Sequence, residues 1–170
     1  MNLILLLWAV PTDEKPIYPT AKGTKWIYRA DGTEKTWTLG EEETMPVRGL
    51  DVGLGRGRKI LGWGREAYVV ETKDRIRIYE LRSVGEGGIR RLVVVWEFRW
   101  DRERWRYDSI DGRIAETIQG RRLEREKIEV PAGKFECTKF LLNGDTYWIS
   151  RGVGIVKWTA GQKTWELDKR

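Results

Sequence analysis

Three Asp-Gly or Asn-Gly dipeptides separate runs of β-branched and aromatic residues: Asp31-Gly32, Asp111-Gly112 and Asn143-Gly144. Both central positions of a type I′ turn require a positive φ, which Asn, Asp and Gly tolerate best. A dipeptide of this kind between two β-forming runs predicts a hairpin. We therefore expect three hairpins here, and a further turn at Gln119-Gly120.

The segment from Ile89 to Trp100 shows the clearest strand pattern. Side chains on a β-strand alternate between its two faces, so residues at i and i+2 share a face. On this rule one face carries Leu92, Val94, Trp96, Phe98 and Trp100, and the other carries Arg91, Glu97 and Arg99. Arg75 to Tyr79 alternates in the same way, whereas helical periodicity is weak.

Consecutive hairpins build an antiparallel meander that curls on itself. We therefore predict an all-β fold, a single antiparallel curved sheet that forms a half-barrel or barrel. Residues 23–170 are expected to form this single β domain. Residues 1–22 are expected to form an apolar N-terminal segment and a lead-in.

The apolar run from Leu3 to Val10 leaves two interpretations open. Its eight residues are too few to span a bilayer as a helix, but they match the length of the apolar region of a secretory signal. No Lys or Arg precedes the run, so the basic part of a signal is missing unless the true start of the protein lies upstream. The alternative is a retained first strand or an apolar arm. We expect an extracytoplasmic protein, secreted or at the cell surface.

His is absent and Cys137 is the single cysteine among 170 residues. These counts exclude Ser-His-Asp and Cys-His catalysis, His-metal centres and multi-Cys zinc sites. The Gly-rich run 53–59 departs from the Walker pattern, because no Ser or Thr follows Lys59. We predict a non-enzymatic protein with no catalytic residue, metal or cofactor. A carbohydrate-active domain with paired carboxylates remains an open third interpretation.

Ten Trp residues are the most informative residue class. Aromatic rings on one face of a curved sheet can stack on sugar rings or line a pocket for an apolar ligand. They can equally fill the concave side of the sheet as core. The candidate ligand-binding residues are Trp96, Phe98, Trp100, Trp105 and Trp148, and Trp63 between two glycines is the Trp most expected to be exposed. The partner would be an apolar ligand, a glycan or another envelope protein.

The formal net charge of +6 supports an alternative, binding of a polyanion or nucleic acid. Its candidate residues are Arg56, Arg58, Lys59, Arg90, Arg91, Arg104 and Arg106. The other interpretation is a well-solvated surface, typical of thermophiles, because Glu, Lys and Arg are abundant while Cys and Met are scarce. Nucleic acid is the less favoured partner.

The last third of the chain contains a Val-Pro-Ala-Gly-x-Phe turn, a Tyr-Trp pair and a Gly-Val-Gly-x-Val-Lys motif. The residues of these motifs are Val130, Pro131, Ala132, Gly133, Phe135, Tyr147, Trp148, Gly152, Val153, Gly154, Val156 and Lys157, with Gly23, Trp26 and Tyr28 upstream. On these residues the chain resembles the TapB-like family of extracytoplasmic prokaryotic β-domains. The resemblance implies a secreted or envelope-attached antiparallel sheet, comparable with half-barrel lipoprotein carriers, and supplies no catalytic residues.

These motifs also have a physical interpretation. Pro131 fixes φ and ends a strand, and Gly133 permits the reversal that directs Phe135 into the core. Gly152 and Gly154 predict a turn or bulge that directs the following residues inward.

Overall fold

The computed structural model describes residues 16–45, 56–84, 89–111 and 114–170. This part of the chain is all β. Its twelve strands are β1 (Lys25–Ala30), β2 (Thr33–Thr44), β3 (Arg56–Leu61), β4 (Ala67–Thr72), β5 (Arg75–Val84), β6 (Ile89–Arg99), β7 (Arg104–Asp111), β8 (Ile114–Val130), β9 (Gly133–Leu142), β10 (Asp145–Ser150), β11 (Gly154–Ala160) and β12 (Lys163–Lys169).

All twelve strands belong to one antiparallel sheet, in the order β6-β5-β4-β3-β2-β1-β12-β11-β10-β9-β8-β7. Strands that are consecutive in the chain pair with each other, except β6 with β7, and β1 also pairs with β12. The two edge strands, β6 and β7, are consecutive in the chain, and no ladder joins their described residues. The sheet is therefore a nearly closed barrel with one seam, which confirms the predicted fold class.

Side chains bridge the seam where backbone pairing is missing. The Tyr107 hydroxyl donates to the carbonyl oxygen of Val95 at 3.0 Å. Near the link between the two edge strands, the Arg122 guanidinium donates to the carbonyl of Trp100. These bonds satisfy backbone carbonyls that a ladder would otherwise pair.

The turn chemistry is confirmed at two of the three dipeptides. Asp31 and Gly32 have φ of 47° and 73°, and Asn143 and Gly144 have φ of 46° and 95°, as type I′ turns require. The hairpin between β7 and β8 is also present, although Gly112 lies outside the described residues.

The turn predicted at Gln119-Gly120 is wrong, because both residues lie inside the 17-residue strand β8. A glycine in a strand can mark a close approach instead of a turn. Gly120 lies opposite Trp105, and a Cβ there would come within 2.2 Å of the indole ring. The glycine is therefore explained by packing.

The single inner face predicted for β6 is also wrong. Tyr79 pairs with Val94 and Ile78 pairs with Trp96, so β6 contains one extra residue at Val95. Because side chains alternate along a strand, this extra residue places Leu92 on the opposite face of the sheet from Trp96 and Phe98. Phe98 accordingly joins the main core and Trp96 packs against it, whereas Leu92 packs in a separate cluster.

The Leu92 cluster and the main core lie on opposite faces of the sheet. The cluster consists of Met45, Tyr68, Tyr79, Leu81 and Leu92. The main core occupies the inside of the barrel. Its largest fully buried side chains include Trp26, Tyr28, Phe98, Phe140 and Ile155.

The resemblance motifs act largely as expected on the backbone. Pro131 and Ala132 form the connection between β8 and β9, and Gly133 has a φ of 127°. Phe135, however, is only half-buried. Beyond Gly154 the register with β10 shifts by one residue, so the consecutive residues Ile155 and Val156 are both buried.

Part of the lead-in packs onto the barrel. Ile17 and Tyr18 are buried, and their backbone N–H groups donate to the two carboxylate oxygens of Glu71 at 2.6 and 3.1 Å. Gly152 N–H donates to the Pro16 carbonyl at 2.7 Å. The run from Leu3 to Val10 lies outside the described residues, and within them no helix is long and apolar enough to cross a membrane.

Candidate functional site

A column of indole rings runs through the barrel. Trp165 stacks on Trp158 with ring centroids 5.6 Å apart and an interplanar angle of 12°, and Trp158 stacks on Trp37 at 5.2 Å and 17°. Trp63 follows at 4.5 Å from Trp37, and Trp96 meets Trp63 edge to face at 4.8 Å. Such contacts add to the energy of burial itself. The column is therefore a stabilising part of the core.

Four of the five predicted ligand-binding residues belong to one ring network. Phe140 is its centre, with centroids 5.4 Å from Phe98, 4.8 Å from Trp100 and 6.1 Å from Trp105. Trp96 lies 6.3 Å from Phe98. The structure thus brings these residues together, although no backbone ladder joins the described residues of β6 and β7.

The exposed fraction of each ring shows whether it fills the core or lies at the margin of the core. Phe98 is fully buried and Trp105 is 8% exposed, so both fill the interior. Trp63, Trp96 and Trp100 are half-buried and pack against the core from its margin. Any ligand that stacks on this network would meet these three rings first.

Trp148 lies on the outer face of the sheet, apart from the other candidates. Its neighbours in β10, Tyr147 and Ile149, are buried inside. The ammonium groups of Lys139 and Lys157 lie 5.4 and 5.5 Å from the Trp148 ring centroid. The placement of Trp148 on the predicted concave aromatic face is therefore wrong, because alternation along β10 turns its ring outward.

The predicted basic residues fall into separate groups. On β3, Arg56 pairs with Glu42 at 3.8 Å and Arg58 donates to the Thr20 carbonyl. Lys59, also on β3, and Arg90 on β6 share Glu66, at 3.3 and 2.9 Å. Arg91 follows Arg90 in β6, and Arg104 and Arg106 lie on β7. The seven residues do not form one continuous track.

Sequence reasoning missed Arg121, which lies directly opposite Arg104 in the β7–β8 ladder. With Arg106, these residues line a groove of about 620 Å³ on β7, β8 and β9. The Asp111-Gly112 dipeptide predicts the β7–β8 hairpin. Which residue of β8 lies opposite Arg104, however, depends on which two residues form the turn. A turn centred on Asp111 and Gly112 would have paired Arg104 with Gln119.

Cys137 is buried, and burial together with the nearby carboxylates of Glu126 and Glu136 raises the pKa of its thiol to about 12. The thiolate is the reactive form of cysteine, so this environment disfavours nucleophilic chemistry. Within residues 16–45, 56–84, 89–111 and 114–170, no group of three or more Cys, Asp or Glu side chains is arranged to hold a metal ion.

The chain matches no protein-family model and no curated protein. Two solved structures are similar to it over most of their length. One is a candidate lipoprotein from Parabacteroides distasonis, 14% identical, with a TM-score of 0.43, covering 92% of this chain and 99% of that chain. The other is a candidate exported protein with a YmcC-like fold from Bacteroides fragilis, 9% identical, with a TM-score of 0.44, covering 91% and 98%. The TapB-like resemblance stays a prediction.

Proposed function

We propose that the protein is a non-enzymatic, extracytoplasmic binding module that holds an apolar or glycan ligand on half-buried rings at the margin of its aromatic core. The observation that carries this proposal is the indole pair Trp63 and Trp96. Both rings pack on the filled interior and both keep part of their surface exposed. The ligand would therefore bind at the margin of the core, since Trp37 and Trp158 occupy the interior behind these rings.

The Trp63 ring is held in a fixed position. Its indole N–H donates to the carboxylate of Glu80. The preceding Gly62 has a φ of 83°, and a Cβ there would lie 2.0 Å from the Thr36 carbonyl oxygen. This close approach ties the β3–β4 turn to β2. A ring that is already ordered loses little entropy when a ligand stacks on it.

The two rings also present different surfaces. They meet at an interplanar angle of 74°, so one ring edge faces the other ring's plane. A sugar ring or an acyl chain in this corner would contact both. Extracytoplasmic location is supported by the apolar run at Leu3 to Val10 and by the TapB-like resemblance.

The test is a calorimetric titration of the folded protein with neutral oligosaccharides and with short-chain phospholipids. We expect one of these classes to bind, and Trp63→Ala to weaken binding at least about tenfold. Trp148→Ala on the outer face is the matched control and should leave affinity unchanged. Absence of binding to both classes, or equal losses in the two variants, would overturn the proposal.

A second candidate function, polyanion binding, is favoured by the arginine-lined groove on β7, β8 and β9. Binding of this kind releases counterions, so its affinity falls steeply with salt. Stacking on neutral rings lacks this dependence. Titrations at two salt concentrations therefore separate the two candidates.

A further inference from the structure

The arginine groove lies on the outer face of the barrel, beside the edge strand β7. It is built on two hairpins that share β8, so its lining residues are held by the sheet. The lining consists of Arg104, Trp105, Arg106, Thr117, Gln119, Gly120, Arg121, Leu141, Asn143 and Gly144.

Positive charge is concentrated in this groove. Arg104 and Arg121 are direct cross-strand neighbours, an arrangement that disfavours two like charges. Within the described residues, the carboxylate that lies within 4 Å of both is Glu103, 3.7 Å from Arg104 and 3.4 Å from Arg121. Among the described residues no carboxylate oxygen lies within 4 Å of Arg106. Three guanidinium groups thus line the groove, two of them sharing Glu103, while the carboxylates of Asp108 and Glu116 bond instead to the lining residues Thr117 and Asn143.

The ion pairs that Glu103 makes with Arg104 and Arg121 are weak. The Glu103 side chain is 61% exposed and that of Arg104 is 75% exposed, so water screens the pair. An incoming oxyanion could replace Glu103, because a guanidinium presents parallel N–H donors that match carboxylate, sulfate and phosphate oxygens.

The groove also offers neutral contacts. The Trp105 ring itself is in the interior, on the other face of β7 from Arg104 and Arg106, and it packs on Gly120 beneath the groove. Leu141 adds an apolar surface and Gln119 adds an amide group, whereas the Asn143 amide is engaged by Glu116 and by the backbone N–H of Gln119. Charged, amide and apolar groups together suit an anionic sugar better than a bare ion.

We propose that this groove binds the oxyanion of an acidic saccharide, a sulfate, phosphate ester or carboxylate, between Arg106, Arg121 and Arg104. The inference rests on the second candidate function and specifies its site and its ligand class. Glu103 occupies part of the site when the ligand is absent and competes with it.

The test uses the full chain with four probes: inorganic sulfate, a sulfated disaccharide, a single-stranded oligonucleotide and phosphatidylglycerol vesicles. The variants are the double variant Arg106→Gln/Arg121→Gln and the single variant Glu103→Gln. Arg29→Gln is the matched control, since Arg29 is an exposed arginine on β1 that also pairs with a glutamate. Affinity is measured by calorimetry, and the indole N–H resonance of Trp105, assigned with Trp105→Phe, reports the location.

We expect the sulfated disaccharide to bind most tightly and to shift the Trp105 resonance. The double variant should lose at least about tenfold in affinity, the loss that corresponds to one charge-assisted contact. Glu103→Gln should gain about threefold to tenfold in affinity from removal of the competing charge, and Arg29→Gln should leave the affinity unchanged.

Four outcomes would overturn the proposal. Equal weak binding of sulfate and the sulfated disaccharide would show a non-specific anion site. Preference for the oligonucleotide or the vesicles would show that the ligand is a nucleic acid or a lipid surface and not a saccharide. Salt-sensitive binding that survives in the double variant would overturn the groove and leave polyanion binding intact. No binding of any probe would overturn both the groove as a binding site and polyanion binding as a function.

Discussion

The ammonium of Lys157 lies 5.5 Å from the ring centroid of Trp148, and these residues are paired directly across β10 and β11. Lys139 lies on the other neighbouring strand, 5.4 Å from the same centroid. Glu126 accepts the indole N–H, and Glu166 pairs with Lys157 at 2.7 Å. Two motifs of the TapB-like resemblance, Tyr-Trp and Gly-Val-Gly-x-Val-Lys, therefore meet on the outer surface.

This contact predicts a measurable coupling between the two residues. Trp148→Ala should lower the free energy of unfolding by about 1–3 kcal/mol, because a half-buried ring is lost. Lys157→Met should cost less, since its aliphatic part is retained. A double-mutant cycle should give a coupling of about 0.5–1 kcal/mol, typical of a cation–π pair. Urea unfolding measures both quantities.

Trp148 paired with Lys35 is the control for that cycle, because Lys35 lies over Trp165 instead. Its coupling should be zero within error. A coupling of similar size in both cycles would show that the substitutions act through the whole fold and not through the contact.

The contact between Trp105 and Gly120 predicts that Gly120→Ala is destabilising. A new Cβ would lie 2.2 Å from the indole ring, so the ring or the strand must move. We expect a loss of about 1–3 kcal/mol in unfolding free energy, the usual cost of overpacking. In a Trp105→Val background the same change should cost less than about 0.5 kcal/mol, because the clash is removed. Equal costs in both backgrounds would contradict this explanation.

The carboxylate of Glu71 predicts how the segment from Pro16 to Thr20 is anchored. It accepts the backbone N–H groups of Ile17 and Tyr18, and Glu71→Gln removes the charge from these bonds. Hydrogen bonds to charged acceptors are stronger than neutral ones. We expect amide exchange at Ile17 and Tyr18 to become at least about tenfold faster.

Glu34→Gln is the control for this experiment. Glu34 pairs with Arg29 on the surface at 3.3 Å, so its loss should not alter exchange at Ile17 or Tyr18. Unchanged exchange in Glu71→Gln would show that burial alone holds the segment.

Buried tyrosines predict a loss of stability in alkali. Burial raises the pKa of Tyr18, Tyr28, Tyr107 and Tyr147 above that of a free phenol. The unfolded chain therefore releases these protons from about pH 10 upward while the folded chain retains them. Stability is complete below that pH and falls as the pH rises toward the folded-state values.

Urea unfolding between pH 8 and 12, with phenolate absorbance at 295 nm, checks this expectation. Each buried tyrosine contributes a slope of up to about −1.4 kcal/mol per pH unit. Tyr147→Phe should reduce the slope by about this amount, because one proton is removed from the balance. Phenolate absorbance that rises near pH 10 without unfolding would show that the phenols are accessible.

The hairpin architecture could be predicted because its signals are local. Asp31-Gly32 and Asn143-Gly144 adopt the positive φ values that their own residue types favour. The role of Gly120 could not be predicted from the sequence, since a glycine can form a turn or allow another group to approach the backbone closely. Only the position of Trp105 on the neighbouring strand distinguishes the two.

The candidate sites were harder to predict, because they depend on faces and register. Phe98 is in the main core and Trp96 packs against it, but Leu92 lies on the other face of β6, because the bulge at Val95 inserts one residue between them. Arg121 was overlooked because its pairing with Arg104 depends on which residues form the β7–β8 turn.

The sequence by itself therefore determined an antiparallel, all-β chain rich in hairpins, through turn chemistry and a period of two. The tertiary structure decided which rings fill the barrel, which remain at its margin and which arginines share a groove. The physical reason is that side chains alternate at every residue along a strand. A single inserted residue then reverses a face, and only pairing with distant strands determines where that insertion falls.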